Sequence, residues 1–127
     1  MGRKNIIYTY KMLDSKDLDT SVNSTATVTT TIDHLSINIV WSGSTGTNTG
    51  AIVVQGTNKD PDASDFVAAD YFDLTLSGGD VNLTGASGEH VIIFDKIPFR
   101  AIRLVYTNSN HAAGTFSAIM SAKTIGA

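Results

Sequence analysis

The sequence predicts an all-β fold: an antiparallel β-sandwich of jelly-roll type with about eight strands. Three observations predict it. Leu35, Ile37, Ile39 and Trp41 occupy every second position, with Ser36 and Asn38 between them, the period-2 signature of a half-buried strand. Similar short runs recur at spacings of roughly eight to fifteen residues, broken by clusters of Gly, Ser, Asn and Asp. No stretch carries a helical period long enough for a full helix.

Residues 1–20 differ from the remainder. They hold Arg3, Lys4, Lys11 and Lys16, four of the nine basic residues, and Tyr8, Tyr10 and Met12 alternate with polar neighbours. This segment reads as an N-terminal arm or edge strand attached to a β-sandwich domain over 21–127. Thr25 to Ile32 is rich in Thr and Val, whose stiff χ1 suits a pleated surface. The strand ending at Trp41 leads into the Gly/Ser/Thr/Asn tract 42–50, which reads as a loop. Ala51 to Gly56 is expected to return beside it as a hairpin partner. Asn58 to Ala69 reads as a loop with one helical turn, N-capped by Asp62. Tyr71 to Leu76 is expected to be a strand with Phe72, Leu74 and Leu76 on one face. A turn at 77–80, a short strand Val81 to Leu83, a turn at 85–88 and a buried strand Val91 to Phe94 follow. Pro98 breaks the pattern, because it cannot donate to a ladder. Arg100 to Tyr106 places Ile102, Leu104 and Tyr106 on one face, a polar turn covers Asn108 to Gly114, and Thr115 to Ala122 closes the set. Trp41, Phe99, Ile102, Leu104, Tyr106 and Phe116 are the expected signature of the core and its strands.

Composition supports a folded domain and narrows its chemistry. With 127 residues and 42% hydrophobic content, the chain can bury one real core. Only 17% of it is charged, so Thr, Ser, Asn and Gly must carry the polar surface. There is no cysteine, which removes disulfides, thiolate nucleophiles and cysteine-based metal sites. A net charge of −3 argues against broad nucleic-acid binding, which requires a positive surface to release counterions. No run approaches the roughly 18 apolar residues that span a bilayer. The apolar stretch Ile6-Ile7-Tyr8 after the basic start is too short for a signal-peptide core.

Catalytic constellations are lacking. Asp60, Asp62, Asp65, Asp70, Asp73 and Glu89 supply carboxylates, but nothing in the sequence fixes a pair at a defined separation. Asp60 to Asp65 lacks the spacing, glycine and closing Glu of a calcium loop. His34, His90 and His111 stand near predicted turns and are expected to be exposed and unconnected rather than to converge on zinc. No G-x-S-x-G elbow or phosphate-binding loop is present. The expectation is a non-enzymatic protein with no catalytic residue, metal or cofactor. Trp41 lies in register with the apolar face and is expected in the core or at its rim. Arg100 and Arg103 flank an apolar stripe and read as solvated faces or local ion pairs.

The stretch Ile97-Pro98-Phe99-Arg100-Ala101-Ile102-Arg103-Leu104-Val105-Tyr106-Thr107, followed by Gly114-Thr115-Phe116-Ser117-Ala118 and Ala122-Lys123, resembles small virion proteins of tailed bacteriophages. There, a PF-x-x-IR-x-x-YT strand, a Gly-containing turn and a closing strand finish the chain. Tyr8-Thr9-Tyr10, Ile37-Asn38-Ile39 and Gly50 to Asn58 are similar to the same family. The resemblance implies a structural β-sandwich, made in the host cytoplasm and carried in the virion. It would decorate or complete the capsid or the head–tail region by contact with a capsid or a tail or neck component. It also implies a homo-oligomer, with a trimer favoured. The IR-x-x-Y strand is similar as well to discoidin-like carbohydrate-binding modules, the alternative reading, which requires an exposed Trp41 or Tyr71 beside a polar groove. For the structural reading, Ile6, Ile7, Tyr8, Tyr10 and Met12 are the candidate partner contact, because aromatic and Met residues favour interface cores.

Overall fold

A computed structural model describes residues 5–29, 32, 34–46, 49–76, 81–94 and 99–125. Ten strand segments form two antiparallel sheets: β1 (Asn5–Asp17), β2 (Val22–Asn23), β3 (Thr27–Val28), β4 (His34–Gly46), β5 (Gly50–Thr57), β6 (Phe72–Asp73), β7 (Val81–Asn82), β8 (Gly88–Phe94), β9 (Ala101–Asn108) and β10 (His111–Ile125). One sheet has the order β1-β10-β4-β8. In the other, β9 and β5 are central, with β2 and β3 both on β9 and β6 and β7 both on β5. Counting β2 with β3, and β6 with β7, as interrupted single strands gives the eight-position jelly roll that the strand spacing predicts. One 3-10 turn, Ala68–Asp70, is the helical element among the described residues.

The core lies between the sheets. From the first sheet Leu35, Ile37, Ile39, Trp41, Ile92, Phe116, Ala118 and Met120 point inward. The second contributes Ile52, Val54, Val81, Ile102, Leu104 and Tyr106. Alternation on each strand does this: residues of one parity are buried, and those of the other parity face outward. Phe99 is partly buried and packs against this core. The Tyr106 and Phe116 rings meet across the sandwich at 4.5 Å. The Tyr106 hydroxyl, fully buried, donates to the Leu18 carbonyl at 2.7 Å. Burial pushes this hydroxyl's pKa up to about 12, with the Asp19 charge adding to the shift.

Several local expectations are corrected. β4 and β5 do not form a hairpin: β4 pairs with β10 and β8, β5 with β9. The 42–50 tract carries the chain from one sheet to the other, and β4 runs to Gly46 through two register shifts opposite β10. Gly43 (φ 73°) and Gly114 (φ 100°) supply the left-handed backbone there, which only Gly adopts without cost. Among the described residues of the Thr25–Ile32 run only the two of β3 join a ladder; beyond them Thr29 turns its hydroxyl to the Phe99 carbonyl at 2.5 Å. In the 71–76 run only Phe72 and Asp73 join a ladder, while the Leu74 amide bonds Val54 separately. The strand over 91–94 is not buried throughout, because β8 is a sheet edge with Val91 and Ile93 outward. The polar turn after β9 is shorter than expected, and β10 already begins at His111. Asp62 caps nothing; Asp60 instead accepts the Asp62 amide at 3.0 Å. The expected turn at 77–80 and the break at Pro98 lie outside the described residues.

Candidate interaction surface

The outer face of the β1-β10-β4-β8 sheet follows from its register. Residues directly opposite on antiparallel strands share a face, so the pairings define rows across the sheet. Ser117, Val40 and Glu89 form one row; Lys11, Ile119, Asn38 and Val91 the next; then Thr9, Ser121, Ser36 and Ile93; then Lys123 and His34. Val40, Val91 and Ile93 are 41%, 49% and 66% exposed, and Ile119 is half-buried beside them. Single exposed aliphatic residues are ordinary; their grouping on one face makes this face the candidate interaction surface. Glu89 lies at one end of this patch and Lys123 with His34 at the other. A shallow depression of about 470 Å³ lined by His34, Leu35, Ser36, Ile93, Phe94, Ser121 and Lys123 borders it. Asn38 stands within the patch with a buried Oδ1 that has no hydrogen-bond partner.

The two edges of this sheet differ. β8 pairs with β4 from Gly88 to Phe94 without a register shift. β1 breaks register twice, and Ser15 adopts φ 47° there. Bulges and Lys residues are the usual protection of an exposed edge, and β1 carries both. β8 carries neither, and it presents the more apolar side chains.

Of the residues expected at a partner contact, Ile6, Ile7, Tyr8 and Tyr10 have their backbones in β1, opposite Thr124, Lys123, Ala122 and Met120. Their side chains lie outside the described residues. Met12 is half-buried against the core. The apolar outward residues of β8 were missed because the run VIIF reads as fully buried from sequence. The signal that could have found them is Glu89, whose parity assigns Val91 and Ile93 to a face shared with a charge.

Buried polar chemistry elsewhere is structural. His111 is not exposed but 3% accessible. Its Nε2–H donates to the Leu83 carbonyl at 2.7 Å, which fixes the tautomer and leaves Nδ1 to accept the Ser44 hydroxyl. This Ser–His contact lacks the carboxylate of a hydrolytic triad; a carbonyl holds the imidazole, and both side chains are buried. It joins β10 and β4 to the segment following β7. The three histidines do not converge. His34 and His90 are five residues apart along β4, since His90 lies opposite Ile39, about 16 Å at the strand rise. His111 lies opposite Gly46 at the other end of that strand. Among the described residues no group of three His, Asp or Glu could hold a metal.

The carboxylates are spread along loops and strand ends. Asp70 accepts the Val67 amide and the Lys59 ammonium, both at 2.9 Å. The amide first, then Lys59, hold its carboxyl below the ordinary range, and the same pairing raises Lys59. Asp60 faces Arg100 at 3.7 Å, and Asp73 accepts from Gln55 at 2.8 Å. Arg103 lies 3.9 Å from the Tyr71 ring centroid and donates to Gln55. Burial pushes the Tyr71 hydroxyl up, with Arg103 pulling the other way. Trp41 is 6% exposed with a buried Nε1, so it offers no stacking platform for a sugar ring.

No protein-family model matches the chain, and no curated protein sequence matches it. Among solved structures, a chain from the structure of infectious bursal disease virus, Gx strain, is similar over 97% of this chain and 33% of its own length, with a TM-score of 0.52 and 12% identity. A chain from the VP2 subviral particle of the same virus matches over 95% of this chain and 32% of its own, with a TM-score of 0.49 and 10% identity. A chain from Bacillus endospore appendages, a family of disulfide-linked pili, gives 0.33 and 9% identity over 96% of this chain and 86% of its own. The protein thus spans about a third of the length of the two viral chains. At these identities the first likeness establishes the fold alone: an antiparallel β-sandwich.

Proposed function

We propose that this protein is a non-enzymatic structural component of a bacteriophage particle, decorating or completing the capsid or the head–tail region through oligomeric contacts. The observation that carries this reading is the outer face of the β1-β10-β4-β8 sheet, where exposed Val40 on β4 adjoins exposed Val91 and Ile93 on the unprotected edge strand β8. A sandwich whose inner faces already fill its core has no internal use for a second apolar face. The PF-x-x-IR-x-x-YT resemblance points to a phage virion, and a sandwich of this type also occurs in a virus structure. The Thr/Ser/Asn-rich surface suits assembly, because these side chains lose less rotamer entropy on ordering than Lys or Glu. The carbohydrate-binding alternative loses Trp41, which is buried, and keeps only Tyr71, which is half-buried with Arg103 against one face of its ring.

The test uses phage particles produced with the gene intact and with it deleted. Mass spectrometry of purified intact particles should find the protein at a fixed stoichiometry. Purified protein added to gene-deleted particles should bind saturably and sediment with them. Its absence from intact particles, with no binding to the depleted ones, would overturn the reading.

A further inference from the structure

We infer that Arg103 is a recognition site for a carboxylate, presented by an Asp or Glu side chain of a partner protein on the outer face of the sheet that holds β9 and β5. This is the sheet opposite the apolar face described above, so the site stands whether or not that face docks to a particle.

The site is built by register. Ile102 and Leu104 are buried, and parity turns Arg103 between them to the outer face. There Arg103 of β9 lies opposite Gln55 of β5, which lies opposite Asp73 of β6, so the three share one row. The Asp73 carboxylate accepts the Gln55 Nε2–H at 2.8 Å, which turns the amide oxygen toward Arg103. That oxygen accepts the Arg103 Nε–H at 2.9 Å. The guanidinium lies 3.9 Å from the centroid of the Tyr71 ring, and Phe66 braces that ring edge-on at 5.2 Å. The planar head is thus held at Nε and along one face. Among the described residues its two terminal nitrogens have no partner.

This separates Arg103 from its basic neighbours. Arg100 faces Asp60 at 3.7 Å, and Lys59 holds Asp70 at 2.9 Å. The acid in the row of Arg103 is engaged by Gln55 instead. What remains free is the end-on fork of Nη1 and Nη2, two parallel N–H donors that match the two oxygens of a carboxylate. The head is already ordered, so little freedom is lost when the fork is filled. Asp73 stands in the same row, which favours a singly charged group over a phosphate dianion.

The setting favours a protein over a small metabolite. Small-ligand sites enclose most of their ligand, whereas this fork stands half-buried on the outer face of a sheet. Arg and Tyr are the residues that anchor protein contacts. In the next outward row Val53 lies opposite Val105, both half-buried. Two strand residues span about 6.8 Å, the repeat of an extended peptide, so an acid on the fork sets the residue two places on over the valines.

The experiment is a nuclear magnetic resonance titration of the full chain, following the Arg103 Nε–H and the Tyr71 ring protons. The probe is the peptide acetyl-Glu-Ser-Val-amide. It should shift both signals saturably, and acetyl-Gln-Ser-Val-amide should not. Acetate should bind about fivefold more weakly or worse, because it lacks the valine. Arg103→Lys keeps the charge and loses the fork; shown to be folded by circular dichroism, it should bind the Glu peptide about tenfold more weakly or worse, read at Tyr71. No saturable shift, equal binding of the Gln peptide, or unchanged affinity in Arg103→Lys would overturn the site. Inorganic phosphate binding more tightly than the Glu peptide would overturn the carboxylate assignment, and acetate binding as tightly would overturn the protein partner.

Discussion

Tyr106 and Leu18 are joined across the sandwich: the hydroxyl of a residue in the β9 sheet donates at 2.7 Å to a carbonyl just after β1 of the other sheet. The bond lies beside Gly50, where a Cβ would stand 2.6 Å from the Tyr106 hydroxyl. A phenol so enclosed holds its proton well beyond the ordinary range.

That enclosure predicts an alkaline limit. Tyr106 titrates near 12 when folded against an ordinary value of 10.0, so the folded state retains a proton that the unfolded state gives up. Its contribution is fully present below about pH 10 and falls by about 1.4 kcal/mol per pH unit as pH rises toward 12. Urea midpoints measured from pH 8 to 11.5 should show this slope, and Tyr106→Phe should flatten it. Equal slopes in the two proteins would refute the assignment.

Trp41 and Gly88 are opposite residues on β4 and β8, and a Cβ on Gly88 would overlap the indole. Gly88→Ala should therefore cost about 1–3 kcal/mol and shift tryptophan emission to the red as the ring is displaced. Since Trp41 is the only tryptophan, the spectrum reports this contact directly. An unchanged spectrum with unchanged stability would mean that the ring yields freely.

His111→Leu keeps volume but takes the donor from the Leu83 carbonyl and the acceptor from the Ser44 hydroxyl. Chemical denaturation should show a loss of about 2–3 kcal/mol. A loss below about 0.5 kcal/mol, the range of ordinary surface changes, would show that the network does not hold this end of the sandwich together.

Deleting residues 2–12 separates an arm from an integral strand. β1 pairs with β10 from Asn5↔Ile125 onward, and Leu13 and Leu18 belong to the core. The truncated chain should lose its cooperative thermal transition. A sharp transition within a few degrees of the full chain would instead return this segment to the role of a detachable arm.

How far the sequence was legible depended on how local the deciding physics was. Leu35, Ile37, Ile39 and Trp41 declared their face because parity is a property of one strand. Ile102, Leu104 and Tyr106 did the same. Whether β4 pairs with β5 was not local: the Gly/Ser/Thr tract between them suits a hairpin and a crossover equally, and the choice was made by β10 and β9. Val91 and Ile93 misled for the same reason, since a continuous apolar run is buried only if something covers its second face. His111 has no periodic neighbour to betray it. Its burial is set by Ser44 and Leu83, 67 and 28 positions away.

The order β1-β10-β4-β8 also has a kinetic meaning. β10 is the latest of these strands to be synthesised, yet it is an inner one, with β1 and β4 on its flanks. Until it arrives, β1 has no ladder to join, and β4 with β8 forms only a two-stranded ribbon with an open apolar face. Such non-local closure folds slowly and leaves the nascent chain without a stable partial product. Chains released before β10 should be substrates for proteolysis and aggregation rather than shorter versions of the protein.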